Sequence, residues 1–133
     1  MSAVPYPVAA RLVAAALDRA AEIACPVSVA VLDETRELVA FARQPGAPVF
    51  TAEVAKAKAF TARSLLTPTH ETQKFTGPGG PFYGLESVGG GVVCTIPGGL
   101  PLSVDGEVVG AIGVSGGSAE QDLDVATHAA GAF

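Results

Sequence analysis

From Pro7 to Ile23 apolar residues recur at helical spacing. Val8, Leu12, Ala16, Ala20 and Ile23 form a stripe with Val13 and Leu17 beside it, and Arg11, Asp18 and Glu22 fall opposite. That pattern predicts an amphipathic helix, ended by Pro26, which has no N–H to continue the ladder. Val27 to Leu32 is a nearly unbroken, β-branched apolar run and reads as a buried strand. Asp33-Glu34-Thr35-Arg36 supplies turn residues, and Leu38 to Arg43 continues as a second strand, so the pair predicts a hairpin. After the loop Gln44–Pro48, Thr51 to Leu66 is rich in Ala and free of Gly and Pro, which predicts a helix.

Thr67-Pro68 has the form of an N-cap followed by proline at the first helical position, so a short helix is expected to restart there. Phe75 to Gly91 is rich in Gly and Pro and is the longest irregular stretch, the place to expect a ligand-contacting loop. Gly91 to Ile96 reads as a third strand. Leu100 to Val104 and Glu107 to Val114 flank Asp105-Gly106, a strong hairpin signal. Ser118-Ala119-Glu120-Gln121 fits a capping box for a last helix reaching about Ala130. Helix, two strands, one or two helices, three strands and helix give an α+β domain spanning 1–133, with an antiparallel sheet carrying helices.

Composition narrows the classes. Charged residues are 16% of the chain and apolar residues 49%, which excludes a disordered chain and leaves a surface poor enough in charge to expect cover by another subunit. The net charge of −5 and scattered basic residues exclude nucleic acid, whose affinity comes from Lys and Arg neutralising phosphates. Prolines, Arg11 and Asp18 interrupt the N-terminal apolar stretch, so neither an export signal nor a membrane partner is expected, and a cytoplasmic protein is. Cys25 and Cys94 have no metal-ligand spacing; no metal site is expected, and both read as small buried hydrophobes.

Each residue that could carry chemistry also has a structural reading. Ser115-Gly116-Gly117 ahead of the last helix offers N–H groups to an anion, or simply turns the chain and lets the helix pack closely. Gly98-Gly99-Leu100-Pro101 lets backbone approach a ligand at Gly99 and Pro101, or forms a bulge at an oligomer contact. Lys58 on the Ala-rich helix is a base or anion clamp, or the partner of an acid such as Asp33, Glu53 or Asp122. Lys56, three residues from Glu53, suggests a surface ion pair. His70 is a general base, a haem ligand or an exposed loop residue. His128 suits a role at a helix C-terminus. Phe82 and Tyr83 either stack on a planar ligand or anchor the glycine loop. Glu53, Glu71 and Glu86 show no persuasive pairing, and no dinucleotide, phosphate-loop or nucleophile-elbow motif is present.

Three segments carry a family resemblance: Val29-Ala30-Val31-Leu32-Asp33 through Arg43 to Gly46-Ala47; Ala55-Lys56-Ala57-Lys58-Ala59-Phe60-Thr61-Ala62; and Gly98-Gly99-Leu100-Pro101-Leu102 through Asp105-Gly106 and Ser115-Gly116-Gly117 to Gln121-Asp122. Together they resemble the GlcG/HbpS family, which includes the C-terminal domain of PduO-type proteins. The resemblance implies a five-stranded, profilin-like antiparallel sheet with helices on its faces, homo-oligomers built from dimers, and haem as a cofactor in some members. Some members use a His of the first helix as haem ligand; Pro7 to Cys25 here contains no His, Met or Tyr, so that ligand does not carry over. The expected function is binding of a small molecule, haem or another planar or anionic metabolite. Alternatives are a cofactor-independent isomerase, cyclase or lyase using Lys58, His70 and the Ser115–Gly117 turn, and a structural oligomeric accessory protein.

Overall fold

The computed structural model describes residues 1–133. Helix α1 spans Tyr6–Glu22, strands β1 and β2 span Ser28–Leu32 and Leu38–Arg43, and helices α2 and α3 span Thr51–Leu65 and Thr69–Thr76. A short 3-10 segment, Leu85–Gly90, precedes β3 (Gly99–Val104), β4 (Glu107–Ser115) and α4 (Ala119–Ala130). The strands form one antiparallel sheet in the order β2-β1-β4-β3.

Alternation along the central strands decides which helix lies on which face. Val29, Val31, Ile112 and Val114 point to one side and pack with Leu12 and Ala16 of α1 and Val125, Ala126 and Ala129 of α4. On the other side Leu32 and Ala111 meet Ala59 and Ala62 of α2. The second interface is built from small residues, so helix backbone and sheet backbone come close. A Cβ at Gly113 would collide with the carbonyl oxygen of Ala55. This close approach fixes where the outer face of α2 stands.

The local signals in the sequence account for most boundaries. Asp105 and Gly106 both have positive φ, 50° and 81°, as a tight primed turn between β3 and β4 requires. Ser118 Oγ accepts from the Gln121 N–H while the Ser118 N–H donates to Gln121 Oε1, the expected capping box. Two expectations need correction. The sheet has four strands, not five: Gly91 to Ile96 is not a strand, because side chains take its backbone bonds. The Cys94 N–H donates to Thr61 Oγ1 at 2.8 Å, and Thr69 Oγ1 donates to the Ile96 carbonyl at 2.7 Å. The segment is thereby tied to α2 and α3 rather than to a neighbouring strand. A helix does restart after Thr67-Pro68, but without the expected cap, since the Thr67 hydroxyl donates back to the Leu65 carbonyl and the helix begins at Thr69.

The β1–β2 turn is organised by Asp33, whose carboxylate accepts from the Thr35 hydroxyl at 2.6 Å and from the N–H groups of Thr35 and Glu37. Burial alone would raise this carboxyl's pKa. The bonds from Thr35 and Glu37 and the nearby Arg63 together outweigh burial and hold it below the usual carboxylate range. A depressed folded pKa means that the turn's stabilisation is complete above the unfolded value and is lost as pH falls through the folded one. Acidification through that range is expected to loosen this turn, and Asp33→Asn to flatten the acid dependence. Hydrogen exchange of the Thr35 and Glu37 amides across a pH series checks this, and an unchanged acid limb in the variant would refute it.

Candidate functional site

The turn that Asp33 organises carries Arg36 in a left-handed conformation, φ 69°. A residue with a Cβ enters this region only when its surroundings hold it there. Here the guanidinium lies 4.5 Å from the centroid of the Phe60 ring on α2, and Arg36 Nη1 donates to Ser64 Oγ at 3.2 Å. One turn of α2 earlier, Lys56 Nζ stands 5.0 Å from the Phe41 ring of β2. The expected pair of Lys56 with Glu53 is not formed; the ammonium is placed over an aromatic face instead. Neither cation has a carboxylate within ion-pair distance.

Arg36, Lys56 and Phe60 border a cleft of about 730 Å³, within the range of cavities that take small molecules. Its floor is the outer face of α2, with Glu53, Ala57 and Phe60 one helical turn apart. One side is the β1–β2 hairpin with Leu32, Arg36, Glu37 and Leu38, and the other is the stretch from Glu86 to Ile96. Leu38, Val54, Phe60, Val92 and Ile96 make the lining largely apolar. Cys94 also faces this space and is half-buried, whereas Cys25 is buried as expected. Burial, and secondarily the charge of Asp122, push the Cys25 thiol up, which keeps it protonated and inert.

Most residues singled out in the sequence lie elsewhere. Lys58 is on the inward face of α2 and only 1% exposed; its ammonium donates to Asp122 Oδ2 at 2.9 Å and to the Val114 carbonyl at 2.8 Å. Of the acids considered for Lys58, the partner is Asp122. The same carboxylate accepts the Gly117 N–H through Oδ1 at 2.9 Å. The turn Ser115-Gly116-Gly117 therefore does hold an anion, and the anion is a side chain of this protein. Gly99 and Gly98 pack against Lys58, where a Cβ on Gly99 would meet the Lys58 carbonyl oxygen at 2.5 Å. Lys58, Gly99, Ser115, Gly116 and Gly117 are thus brought together around a buried ion pair. Pro101 sits on β3 opposite Ala111, and none of these residues borders the cleft.

His70 is exposed on α3, and His128 is exposed on the last turn of α4. Phe82 and Tyr83 are exposed outside the cleft, with the Phe82 ring edge-on to Phe75 at 6.1 Å. Arg36, Phe60, Glu86 and Cys94 were not prominent in the sequence as a binding set. They arrive from different segments, so no spacing marks them; the positive φ of Arg36 and the unpaired Lys56 are the signals that find the site, and both are tertiary.

Residues 5–131 match the family model described as haem degrading protein HbpS-like. The corrinoid adenosyltransferase PduO of Salmonella typhimurium is 41% identical over 123 residues, covering 92% of this chain and 37% of that protein. The chain therefore spans little more than a third of the length of the PduO relatives it matches. Among solved structures, the PduOC:heme complex superposes with a TM-score of 0.90 at 40% identity, covering 93% of this chain and 90% of the other. Klebsiella pneumoniae protein ORFY superposes with a TM-score of 0.96 at 32% identity, covering 100% and 92%.

Proposed function

The chain belongs to the HbpS-like family, and from that premise we propose that the cleft between α2, the β1–β2 hairpin and residues 86–96 binds a planar, carboxylate-bearing small molecule of the haem class. One observation carries this reading: an apolar cleft whose two cations, Arg36 and Lys56, lie against aromatic rings without carboxylate partners. An apolar macrocycle with carboxylate arms would desolvate the walls and give both cations an anion. The haem complex of the PduOC relative supports the choice of ligand class.

The donor set fits haem itself. Arg36 and Lys56 would hold the propionates, and Cys94 is a side chain of a kind that ligates haem iron, standing in the cleft wall. Haem would supply an iron centre able to exchange ligands and electrons. Catalysis by Lys58 with His70 gains no comparable support, since the Lys58 ammonium is enclosed by Asp122 and Val114 while His70 faces outward. Val49 and Phe50, at the start of α2 and 80% and 72% exposed, support assembly into homo-oligomers built from dimers, which light scattering would read as a mass above that of one chain.

Titration with haemin followed by its Soret band tests the ligand reading. Saturable binding is expected, with Arg36→Ala and Lys56→Ala each weakening it by about tenfold, the effect of one charge-assisted contact. A double variant that binds haemin as tightly as the parent would remove the cleft from the site.

A further inference from the structure

Glu34 to Arg36 form a three-residue loop between β1 and β2. It is closed where the Asp33 N–H donates to the Glu37 carbonyl at 3.0 Å and the Arg36 N–H donates to the Asp33 carbonyl at 3.1 Å. Hairpin loops of this length end on a left-handed residue, and glycine is the default there because it has no Cβ to strain. This chain puts Arg36 in that position, with φ 69°. Of the four non-glycine residues with positive φ, only Arg36 borders the cleft. Ala24 and Leu66 close helices, and Asp105 belongs to the β3–β4 turn. A costly backbone conformation kept beside a binding cleft calls for an explanation in terms of that cleft.

The conformation is imposed from both sides of Arg36 by one atom. Asp33 Oδ1 accepts from the Thr35 N–H at 2.9 Å, the Thr35 hydroxyl at 2.6 Å and the Glu37 N–H at 3.2 Å. Arg63 of α2 fastens the same loop to the helix, its Nε donating to the Glu34 carbonyl at 3.0 Å. Asp33 itself does not border the cleft. With the backbone held in this way, the Arg36 guanidinium rests against Phe60, gives one N–H to Ser64 and keeps its other donors for a planar anion. A free arginine side chain loses rotamer freedom when it captures a carboxylate; this one loses it on folding. We infer, on the ligand reading above, that Asp33 is a positioning residue of the cleft. It holds Arg36 in the left-handed conformation that sets the guanidinium over Phe60, ready for a ligand carboxylate, and the strain at Arg36 is kept for that contact.

Haemin titrations and thermal melts of Asp33→Ala, Asp33→Asn, Arg36→Ala, Arg36→Gly and the double variant Asp33→Ala with Arg36→Ala test this. A ligand-free measurement joins them: the NMR shift that the Phe60 ring imposes on the Arg36 side chain. Asp33→Ala is expected to remove that shift and to weaken haemin binding by about fivefold, short of the loss in Arg36→Ala because the guanidinium is still present. Asp33→Asn keeps an oxygen that accepts the same bonds and should restore both. In the Arg36→Ala background, Asp33→Ala is expected to add no further loss of affinity. Arg36→Gly should bind as weakly as Arg36→Ala yet melt higher, because glycine relieves the strain that alanine keeps. Thr35→Val removes only the hydroxyl bond to Asp33; its smaller loss, with the same dependence on Arg36, decides the matter if Asp33→Ala does not fold. Unchanged haemin affinity in a folded Asp33→Ala, a loss that persists without Arg36, or a ring shift that survives the substitution overturns the role of Asp33 and leaves the ligand reading standing. Arg36→Gly melting no higher than Arg36→Ala overturns the strain. A parent that binds no haemin overturns both readings together.

Discussion

Asp122→Asn is expected to destabilise the protein by about 3–5 kcal/mol, the range found when one partner of a buried ion pair is removed. The substitution keeps an oxygen that can accept the Gly117 N–H, so it isolates the charge. What remains is the Lys58 ammonium, with both side chains of the pair nearly inaccessible to water and the Val114 carbonyl as its other acceptor. An uncompensated ammonium in that setting must either stay charged at high cost or give up its proton. Lys58→Met combined with Asp122→Leu should recover part of the loss, because no charge is then left buried, although the Gly117 N–H is orphaned. Urea unfolding of the parent and the variants measures both effects. A loss below about 1 kcal/mol for Asp122→Asn would mean that water reaches the pair and would reopen a chemical role for Lys58.

Gly113→Ala is expected to cost about 3 kcal/mol, at the upper end of what overpacking a core usually costs, and to weaken ligand binding as well. Its φ is unremarkable, so the penalty is not conformational. The new methyl would overlap the Ala55 carbonyl oxygen and approach the Ala59 amide nitrogen to 2.7 Å, and helix backbone cannot rotate away as a side chain can. The helix must move off the sheet, taking the cleft floor at Ala57 and Phe60 with it. Gly106→Ala is the contrasting case. Nothing lies within 4 Å of its Cβ, but its φ of 81° makes the cost one of backbone strain, about 1–2 kcal/mol, with no effect on the cleft. Thermal melts with haemin titration separate the two. Parental binding in a destabilised Gly113→Ala would show that α2 does not set the cleft.

Much of the fold was legible because its signals are local. A helical stripe from Val8 to Ile23, a capping box at Ser118, and Asp-Gly between two apolar runs each act within a few residues, and each appears where expected. The Gly91–Ile96 segment was misread because its extended backbone is satisfied by Thr61 and Thr69, residues about thirty positions away whose hydroxyls no local pattern announces. Lys58 and the Ser115–Gly117 turn were singled out as an amine and an anion-holding turn. Both descriptions suit their chemistry, but the carboxylate between them is Asp122, so a pair of apparent binding elements is an internal bond.

The sequence by itself determined most of the element types and their boundaries, the α+β class and the family, since these follow from periodicity, turn chemistry and long matching segments, but not the number of strands. Tertiary structure alone decided which polar groups would be spent on one another and which left free. Arg36, Lys56, Cys94 and Glu86 acquire meaning only when α2 is laid on the sheet. Docking by its small-residue face turns Lys58 inward to Asp122, and the other face becomes the floor of a cleft whose two cations have no carboxylate partner. Pairing of charges depends on distance in space, and distance in space is set by the close approach that Gly113 and Ala55 allow.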